Sequence, residues 1–158
     1  MVVLLGGKEL ATTIKSEASS KVAELKKLGI VPSLALVLVG NKADSKRYIE
    51  LKAKQCREVG AIANVHHFDS KVSASELKTY IKKLNNDKSI HGILIQFPIP
   101  KRLEEVIDSI VVEKDVDGLA SASLGRIVQG RDGYVPAGAE ATIEILRNYR
   151  IDMETNMQ

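Results

Sequence analysis

Two segments rich in apolar residues constrain the fold of this chain more than any other feature. Residues 34–39 are Leu-Ala-Leu-Val-Leu-Val, and residues 90–96 are Ile-His-Gly-Ile-Leu-Ile-Gln. Strands that are apolar at nearly every position are typical of a parallel sheet with helices on both faces. The sequence therefore predicts two buried strands here, and the partial alternation of residues 62–68 predicts a third.

Helical patterns separate and surround these strands. Apolar residues recur every three or four positions from Leu10 to Leu28 and stop at Gly29, which predicts an amphipathic helix. Further helices are predicted at residues 45–59, 74–84, 103–110 and 141–149, and residues 115–133 are predicted mainly as loop. This alternation predicts an α/β fold, a three-layer α/β/α sandwich with a mostly parallel sheet. We assign residues 1–150 to one domain and residues 151–158 to the start of an interdomain connection or a tail.

Two of the predicted helices begin with capping signals. Ser73 and Glu76 have the spacing of a capping box, in which the hydroxyl accepts a hydrogen bond from a free N–H of the first turn. Asp44 or Ser45 is predicted to cap the helix that ends at Gly60.

Composition and charge argue against several classes of function. The 23 basic and 20 acidic residues give a net charge of +3, without the aromatic interleaving of a nucleic-acid surface, so no nucleic-acid partner is predicted. No apolar window is long enough to span a membrane. The single cysteine, Cys56, permits no internal disulfide and favours a reducing compartment, so we expect a cytoplasmic protein. His66 and His67 are neighbours on a strand and point to opposite faces, so no metal site is predicted.

Three segments with polar residues fall where α/β folds bind ligands, which is outside the carboxyl ends of the strands. A hydroxyl, a phenol and an amine recur at helical spacing after the first strand, an amide and a proline follow the last strand, and a carboxylate lies in a predicted loop. These residues are Ser45, Tyr48, Lys52, Gln96, Pro98 and Asp117. An amine, an amide and a carboxylate brought together can bind a polar heterocycle and move a proton.

One short motif indicates a different function. Residues 41–44, Asn-Lys-Ala-Asp, follow an apolar strand as the base-binding loop of small GTPases does. The phosphate-binding loop Gly-x-x-x-x-Gly-Lys-Ser/Thr does not occur in the sequence, and a nucleoside triphosphate with its magnesium needs that loop. A small GTPase-like function is therefore a disfavoured alternative, and saturable GTP binding would be the evidence for it.

Several motifs in combination resemble the bifunctional methylenetetrahydrofolate dehydrogenase/methenyltetrahydrofolate cyclohydrolase family. They are residues 39–54 (Val-Gly-Asn-Lys-Ala-Asp-Ser-Lys-Arg-Tyr-Ile-Glu-Leu-Lys-Ala-Lys), 91–101 (His-Gly-Ile-Leu-Ile-Gln-Phe-Pro-Ile-Pro-Lys), 113–119 (Glu-Lys-Asp-Val-Asp-Gly-Leu), 125–126 (Gly-Arg) and 134–136 (Tyr-Val-Pro). Their order and spacing agree with the family from about Gly7 to Asp152, which is nearly the whole chain.

The resemblance implies a role for each matched polar residue. Tyr48 would stack on the folate, Lys52 would be the catalytic amine, and Gln96 would hold that amine in place. Asp117 would bind the amino-pyrimidine edge of the pterin, and Ser45 and Pro98 would complete the substrate site.

The implied reaction is the hydrolysis of 5,10-methenyltetrahydrofolate to 10-formyltetrahydrofolate, in which water attacks a cationic carbon while a base accepts a proton. An amine serves as that base near neutral pH only if burial lowers its pKa by several units from about 10.4. Lys52 is therefore expected to lie beside the neutral amide of Gln96 and several ångströms from Asp117.

The same family continues into a second, Rossmann-type domain that binds NADP, and its Gly-rich turn does not occur in these 158 residues. We therefore expect no cofactor site in this chain, and NADP-dependent oxidation of 5,10-methylenetetrahydrofolate only in the complete enzyme. The implied partners are tetrahydrofolate derivatives and the C-terminal nucleotide-binding domain. For the complete enzyme, a homodimer is a further partner that the resemblance allows. The alternative is a non-catalytic module that binds folate or packs against a partner domain. Two observations suggest this alternative: the early end of the chain, and Ala137-Gly138 at the position where the family usually has Cys-Thr.

Overall fold

A sheet of three parallel strands lies at the centre of the fold. The strands are β1 (Ser33–Val39), β2 (Ile62–Phe68) and β3 (Gly92–Ile95), in the order β2-β1-β3. The structure is a computed structural model that describes residues 4–151, so most of the predicted tail, residues 152–158, lies outside the described residues. Within residues 4–151 the α-helices are α1 (Lys8–Lys27), α2 (Ala43–Glu58), α3 (Ala74–Asn86), α4 (Ser121–Val128) and α5 (Ala137–Asn148). Two 3₁₀ helices span Lys101–Ser109 and Val112–Lys114.

The side chains on the two faces of the sheet form two separate cores. On one face, Val37 of β1 packs with Leu77 of α3 and Leu103 of the longer 3₁₀ helix. On the other face, Leu36 of β1 packs with Ile49 of α2. Because successive residues of a strand point to opposite faces, the uniformly apolar sequence of β1 fills both cores. The predicted three-layer α/β/α arrangement with a parallel sheet is confirmed.

The start of α2 differs from the prediction. The N-cap is Lys42, and neither Asp44 nor Ser45 caps the helix. Ser45 is buried in the first turn on the face that packs against the sheet, so its hydroxyl is not at the helix end. Asp44 lies in the first turn, where its negative charge interacts favourably with the helix dipole.

Two segments after β3 also differ from the prediction. Residues 101–109 form a 3₁₀ helix where an ordinary helix was predicted at residues 103–110. Residues 115–133, predicted mainly as loop, contain α4. The buried carboxylate of Asp115 accepts a hydrogen bond from the backbone N–H of Ala120 at 2.9 Å, which satisfies a free donor at the start of α4. That interaction joins residues five positions apart and has no short capping motif in the sequence.

Ser73 is the N-cap of α3, and it makes a testable contribution to stability. The Oγ atom of Ser73 accepts a hydrogen bond from the backbone N–H of Glu76 at 3.1 Å. We expect Ser73→Ala to lower the free energy of unfolding by about 1 kcal/mol, the usual cost of losing an N-cap. Urea denaturation followed by circular dichroism measures this change. Ser75→Ala, an exposed position in the first turn of the same helix, is the control and should change stability by less than half as much.

Candidate active site

The carboxyl ends of β1 and β3 lie side by side and carry the start of α2 and the amide of Gln96. After β1, Gly40 turns the chain with a φ of 81°, and its N–H donates to the carbonyl of Phe68 at 2.9 Å. After β3, the N–H of Gln96 donates to the carbonyl of Val37 at 2.8 Å and continues the ladder by one residue. The predicted meeting of these two chain segments at one edge of the sheet is therefore present.

One flank of α2 faces β2, which determines where the opposite flank points. The guanidinium of Arg57 donates to the carbonyl of Ala63 in β2 at 3.1 Å. At about 100° per residue, Tyr48 lies about 180° and Lys52 about 140° around the helix from Arg57. Because β1 is the central strand, the flank that carries Tyr48 and Lys52 is directed towards β3.

Lys52 is partly buried and lies in the middle of α2, not at its start. It is the tenth residue of the helix, about 14 Å along the axis at 1.5 Å per residue. Helical side chains tilt towards the N-terminus of their helix, and the N-terminus of α2 is at the carboxyl edge of the sheet. The Cα–Cβ bond of Lys52 is therefore tilted towards the edge that carries Gln96. Tyr48, one turn nearer that edge, is 58% exposed and offers a free aromatic ring.

Gln96 is the most informative side chain at this edge. It is only 8% exposed, and its Nε2 atom donates to the carbonyl of Phe97 at 2.7 Å. Its Oε1 atom is buried and accepts no hydrogen bond from the described part of the chain. By alternation along β3, Gln96 points to the same face as Leu94, which packs in the core under α2. An unpaired buried acceptor costs about 1–3 kcal/mol, so this position suits an incoming donor.

The Pro-rich turn after Gln96 forms the rim of this edge. The Phe97–Pro98 peptide bond is cis, and both residues are exposed. Ile99 turns inwards and is buried in the core on the α3 side of the sheet. Pro98 therefore lies at the surface next to Gln96, where a bound molecule can contact it.

Asp117 lies on a separate segment beyond β3. Asp115 makes an isolated parallel bridge with Ile93, on the side of β3 away from β1. Asp117 follows within a turn closed by the N–H of Gly118 and the carbonyl of Asp115 at 3.1 Å, and it is partly buried. This is the side of the sheet that the Lys52 flank of α2 faces.

The turn that carries Asp117 depends on a buried pair that the sequence analysis missed. Asp115 is 1% exposed, and its carboxylate accepts a hydrogen bond from the Ser123 hydroxyl at 2.6 Å as well as from the start of α4. In the sequence, Asp115 and Ser123 are ordinary loop residues. The available signal was the Ser-Ala-Ser run at residues 121–123, which is typical of a helix start.

Tyr48 and Lys52 lie on the flank of α2 that is directed towards β3, and Gln96 lies at the carboxyl end of β3. We call this region the α2–β3 site. Ser45 is buried beneath it, and Asp117 approaches from the far side of β3. Within residues 4–151, no hydrogen bond joins Lys52 to Gln96 or either of them to Asp117.

A groove of about 380 Å³ lies elsewhere, between α1 and α5. Apart from Glu140 and Glu144, its lining consists of glycine and apolar residues such as Leu10 and Ile145. It contains no amine, amide or aromatic ring, so it lacks the groups needed for acid–base chemistry on a heterocycle. A smaller hollow of about 180 Å³, lined by Asp44, Arg47, Tyr48 and Leu51, adjoins the α2–β3 site.

Features of metal-binding and membrane proteins are missing from the part of the chain that the structure describes. No three His, Cys, Asp or Glu side chains in residues 4–151 are grouped as metal ligands would be. A ring nitrogen of His67 lies 2.8 Å from the Gly40 carbonyl, whereas His66 pairs with the Tyr80 hydroxyl at 2.8 Å. Burial lowers the pKa of His66. Across the same residues, every helix is too short or too polar to cross a bilayer.

Comparison with known proteins gives a consistent set of matches. A model of the tetrahydrofolate dehydrogenase/cyclohydrolase catalytic domain matches residues 5–117. The bifunctional protein FolD of Nautilia profundicola is 37% identical over 155 residues, which are 97% of this chain and 55% of that protein. The chain spans about half the length of the curated relatives it matches.

Solved structures agree with the sequence matches. The bifunctional enzyme FolD, a methylenetetrahydrofolate dehydrogenase/cyclohydrolase from Campylobacter jejuni, has a TM-score of 0.92 at 37% identity and covers 96% of this chain and 55% of that one. The N5,N10-methylenetetrahydrofolate dehydrogenase-cyclohydrolase of Trypanosoma brucei, solved with NADP cofactor and inhibitor, has a TM-score of 0.88 at 28% identity. It covers 96% of this chain and 53% of that one.

Proposed function

The chain belongs to the tetrahydrofolate dehydrogenase/cyclohydrolase family, and from this premise we propose that its α2–β3 site binds a one-carbon tetrahydrofolate. The proposed reaction is the hydrolysis of 5,10-methenyltetrahydrofolate to 10-formyltetrahydrofolate. The observation that carries the proposal is the Oε1 atom of Gln96, which is buried and accepts no hydrogen bond from the described residues. A carboxamide in that state is suited to fix a donor, either the lysine amine or the ligand.

The residues of the site have complementary roles in this reaction. The exposed ring of Tyr48 offers a surface on which the flat folate stacks. The carboxylate of Asp117 pairs with the amino-pyrimidine edge of the pterin, which presents two N–H donors to one acceptor group. Ser45 supports the first turn of α2 from below, and Pro98 forms the rim.

The chemical step needs one base. Water adds to the amidinium carbon, and the amine of Lys52 accepts a proton as the carbon–oxygen bond forms. The carbon–N5 bond then breaks, N5 takes up a proton, and the carbinol O–H proton is lost to leave the formyl group on N10. One proton is released overall. The neutral amide of Gln96 orients the amine without the attraction to charge that a carboxylate would add.

The second activity of the relatives needs a nicotinamide, because no side chain accepts a hydride. The residues of this chain do not fit a dinucleotide: the sequence has no Gly-x-Gly-x-x-Gly turn, and a single glycine, Gly40, lies between β1 and α2. We therefore assign NADP-dependent oxidation of 5,10-methylenetetrahydrofolate to the complete enzyme only.

The single cysteine supports a reducing compartment such as the cytoplasm.

Binding and turnover are measured separately to test the proposal. Calorimetry with a stable folate analogue should give saturable binding at one site, and loss of the methenyl absorbance should be faster with the protein than in buffer alone. Binding without turnover would favour the non-catalytic module. The absence of both would contradict the proposal.

A further inference from the structure

Asp117 takes its position from the backbone around it. Its carboxylate is partly buried and makes no hydrogen bond or ion pair within residues 4–151, so it is free to pair with a ligand. The turn that carries it is closed by the N–H of Gly118, which donates to the carbonyl of Asp115 at 3.1 Å. Asp115 also bridges Ile93 of β3. The placement of Asp117 beside β3 therefore depends on how firmly Asp115 is held.

Asp115 is held by two donors that converge on one oxygen of its carboxylate. The backbone N–H of Ala120 donates to Oδ2 at 2.9 Å, and the hydroxyl of Ser123 donates to the same atom at 2.6 Å. All three residues are 1% exposed, and within residues 4–151 no lysine, arginine or histidine forms an ion pair with this carboxylate. A buried charge without a counter-ion depends on its hydrogen bonds, so each donor matters more here than at a surface.

The two donors come from a helix that has its own anchor. The N–H of Ser121, the first residue of α4, donates to the Oδ1 atom of Asp108 at 2.7 Å. The start of α4 is thus tied to the 3₁₀ helix at Lys101–Ser109 independently of Asp115. Because the helix is fixed in this way, loss of the Ser123 hydroxyl would displace Asp115 and leave α4 in place.

We propose that Ser123 is a positioning residue, which sets the specificity of the site for the amino-pyrimidine of the pterin through Asp115 and Asp117. This inference rests on the proposed function, in which the Asp117 carboxylate pairs with two N–H groups of that ring edge. A two-point pairing of this kind is lost on a displacement of more than about 0.5 Å or a rotation of more than about 10–20°. Without the Ser123 hydroxyl, the buried carboxylate of Asp115 must find another donor or admit water, and either response moves the turn.

This role differs from a contribution to stability alone. A chain that is only destabilised binds every ligand less well, in proportion to its unfolded fraction. A misplaced Asp117 instead weakens only the ligand that offers both N–H groups. The 2-amino group of the pterin is therefore the diagnostic part of the ligand, because it supplies one of those two groups.

Calorimetry with 5-formyltetrahydrofolate and its 2-desamino analogue tests this inference. The wild-type chain should bind the first ligand about tenfold to a hundredfold more tightly, the usual contribution of a hydrogen bond to a charged group. Ser123→Ala should lower that ratio to about a third or less, while the affinity for the 2-desamino analogue stays within about twofold of the wild-type value. Ser123→Thr keeps the hydroxyl and should restore the ratio.

Two other serine-to-alanine variants are the controls. Ser121→Ala removes an exposed hydroxyl from α4, and Ser73→Ala removes a hydrogen-bonded hydroxyl from the start of α3, so both should keep the wild-type ratio. Circular dichroism establishes that each variant is folded. If the wild-type chain bound both ligands equally, or if folded Ser123→Ala kept the wild-type ratio, this inference alone would be overturned. If the wild-type chain bound neither ligand, the proposed function would fail and the inference with it.

Discussion

Replacing Lys52 by methionine is expected to lower the rate of 5,10-methenyltetrahydrofolate hydrolysis by about a hundredfold to ten-thousandfold, the range for loss of a general base. Methionine keeps the length and packing of the side chain and removes only the amine. Affinity for a folate analogue should change little, since stacking on Tyr48 and pairing with Asp117 are retained. Loss of methenyl absorbance measures the rate, and calorimetry measures the affinity.

Lys54→Met is the matched control for this experiment. Lys54 lies on the same helix two residues away, with a side chain that is 70% exposed and 3.8 Å from Glu58. An exposed ion pair of this kind contributes less than about 1 kcal/mol, so activity and fold should both persist. If Lys52→Met hydrolysed the substrate at the parent rate, Lys52 would not be the base.

Replacing Gly118 by alanine is expected to lower the free energy of unfolding by about 2–5 kcal/mol. Gly118 has a φ of 65°, which costs other residues about 1–2 kcal/mol, and an added Cβ would overlap the carbonyl oxygen of Tyr134. The overlap involves backbone on both sides, so a side-chain rotation cannot relieve it. Urea denaturation measures the loss.

Gly125→Ala is the matched control for this change. Gly125 lies within α4, and a Cβ added there meets no atom within 4 Å. Alanine should stabilise the helix by about 0.5–1 kcal/mol, so the two substitutions should have opposite signs. Equal stabilities would show that the turn after Asp117 does not require glycine. The same change at Gly118 should weaken folate binding, because Asp117 is its neighbour in the chain.

The elements that could be predicted from sequence are those that local patterns determine. The apolar run of β1 determined its burial on both faces, and the Ser73 capping box determined where α3 begins. The errors lie where contacts outside the short capping motifs decide how a helix begins. Asp115 initiates α4 through a buried carboxylate, and Ser45 is buried against the sheet instead of capping α2. No spacing rule within the sequence indicates either contact.

The site follows the same division. The three-and-four spacing of Ser45, Tyr48 and Lys52 predicted one helical face, and the structure divides it into a buried hydroxyl, an exposed ring and a partly buried amine. Gln96 was predicted, from the family resemblance, as the residue that holds the Lys52 amine in place at the end of a strand. The functional proposal rests on its Oε1 atom, which is buried without a hydrogen-bond donor among residues 4–151. That state follows from the burial of the whole edge, so only the folded structure reveals it.

The central claim is that folate binds at the α2–β3 site. Titration of the ¹⁵N-labelled chain with a stable folate analogue tests it most directly, because each backbone amide reports on its own surroundings. Saturable shifts at Tyr48, Lys52, Phe97 and Gly118 are the predicted result. Shifts confined to the groove between α1 and α5, or no shifts at saturating analogue, would contradict the claim.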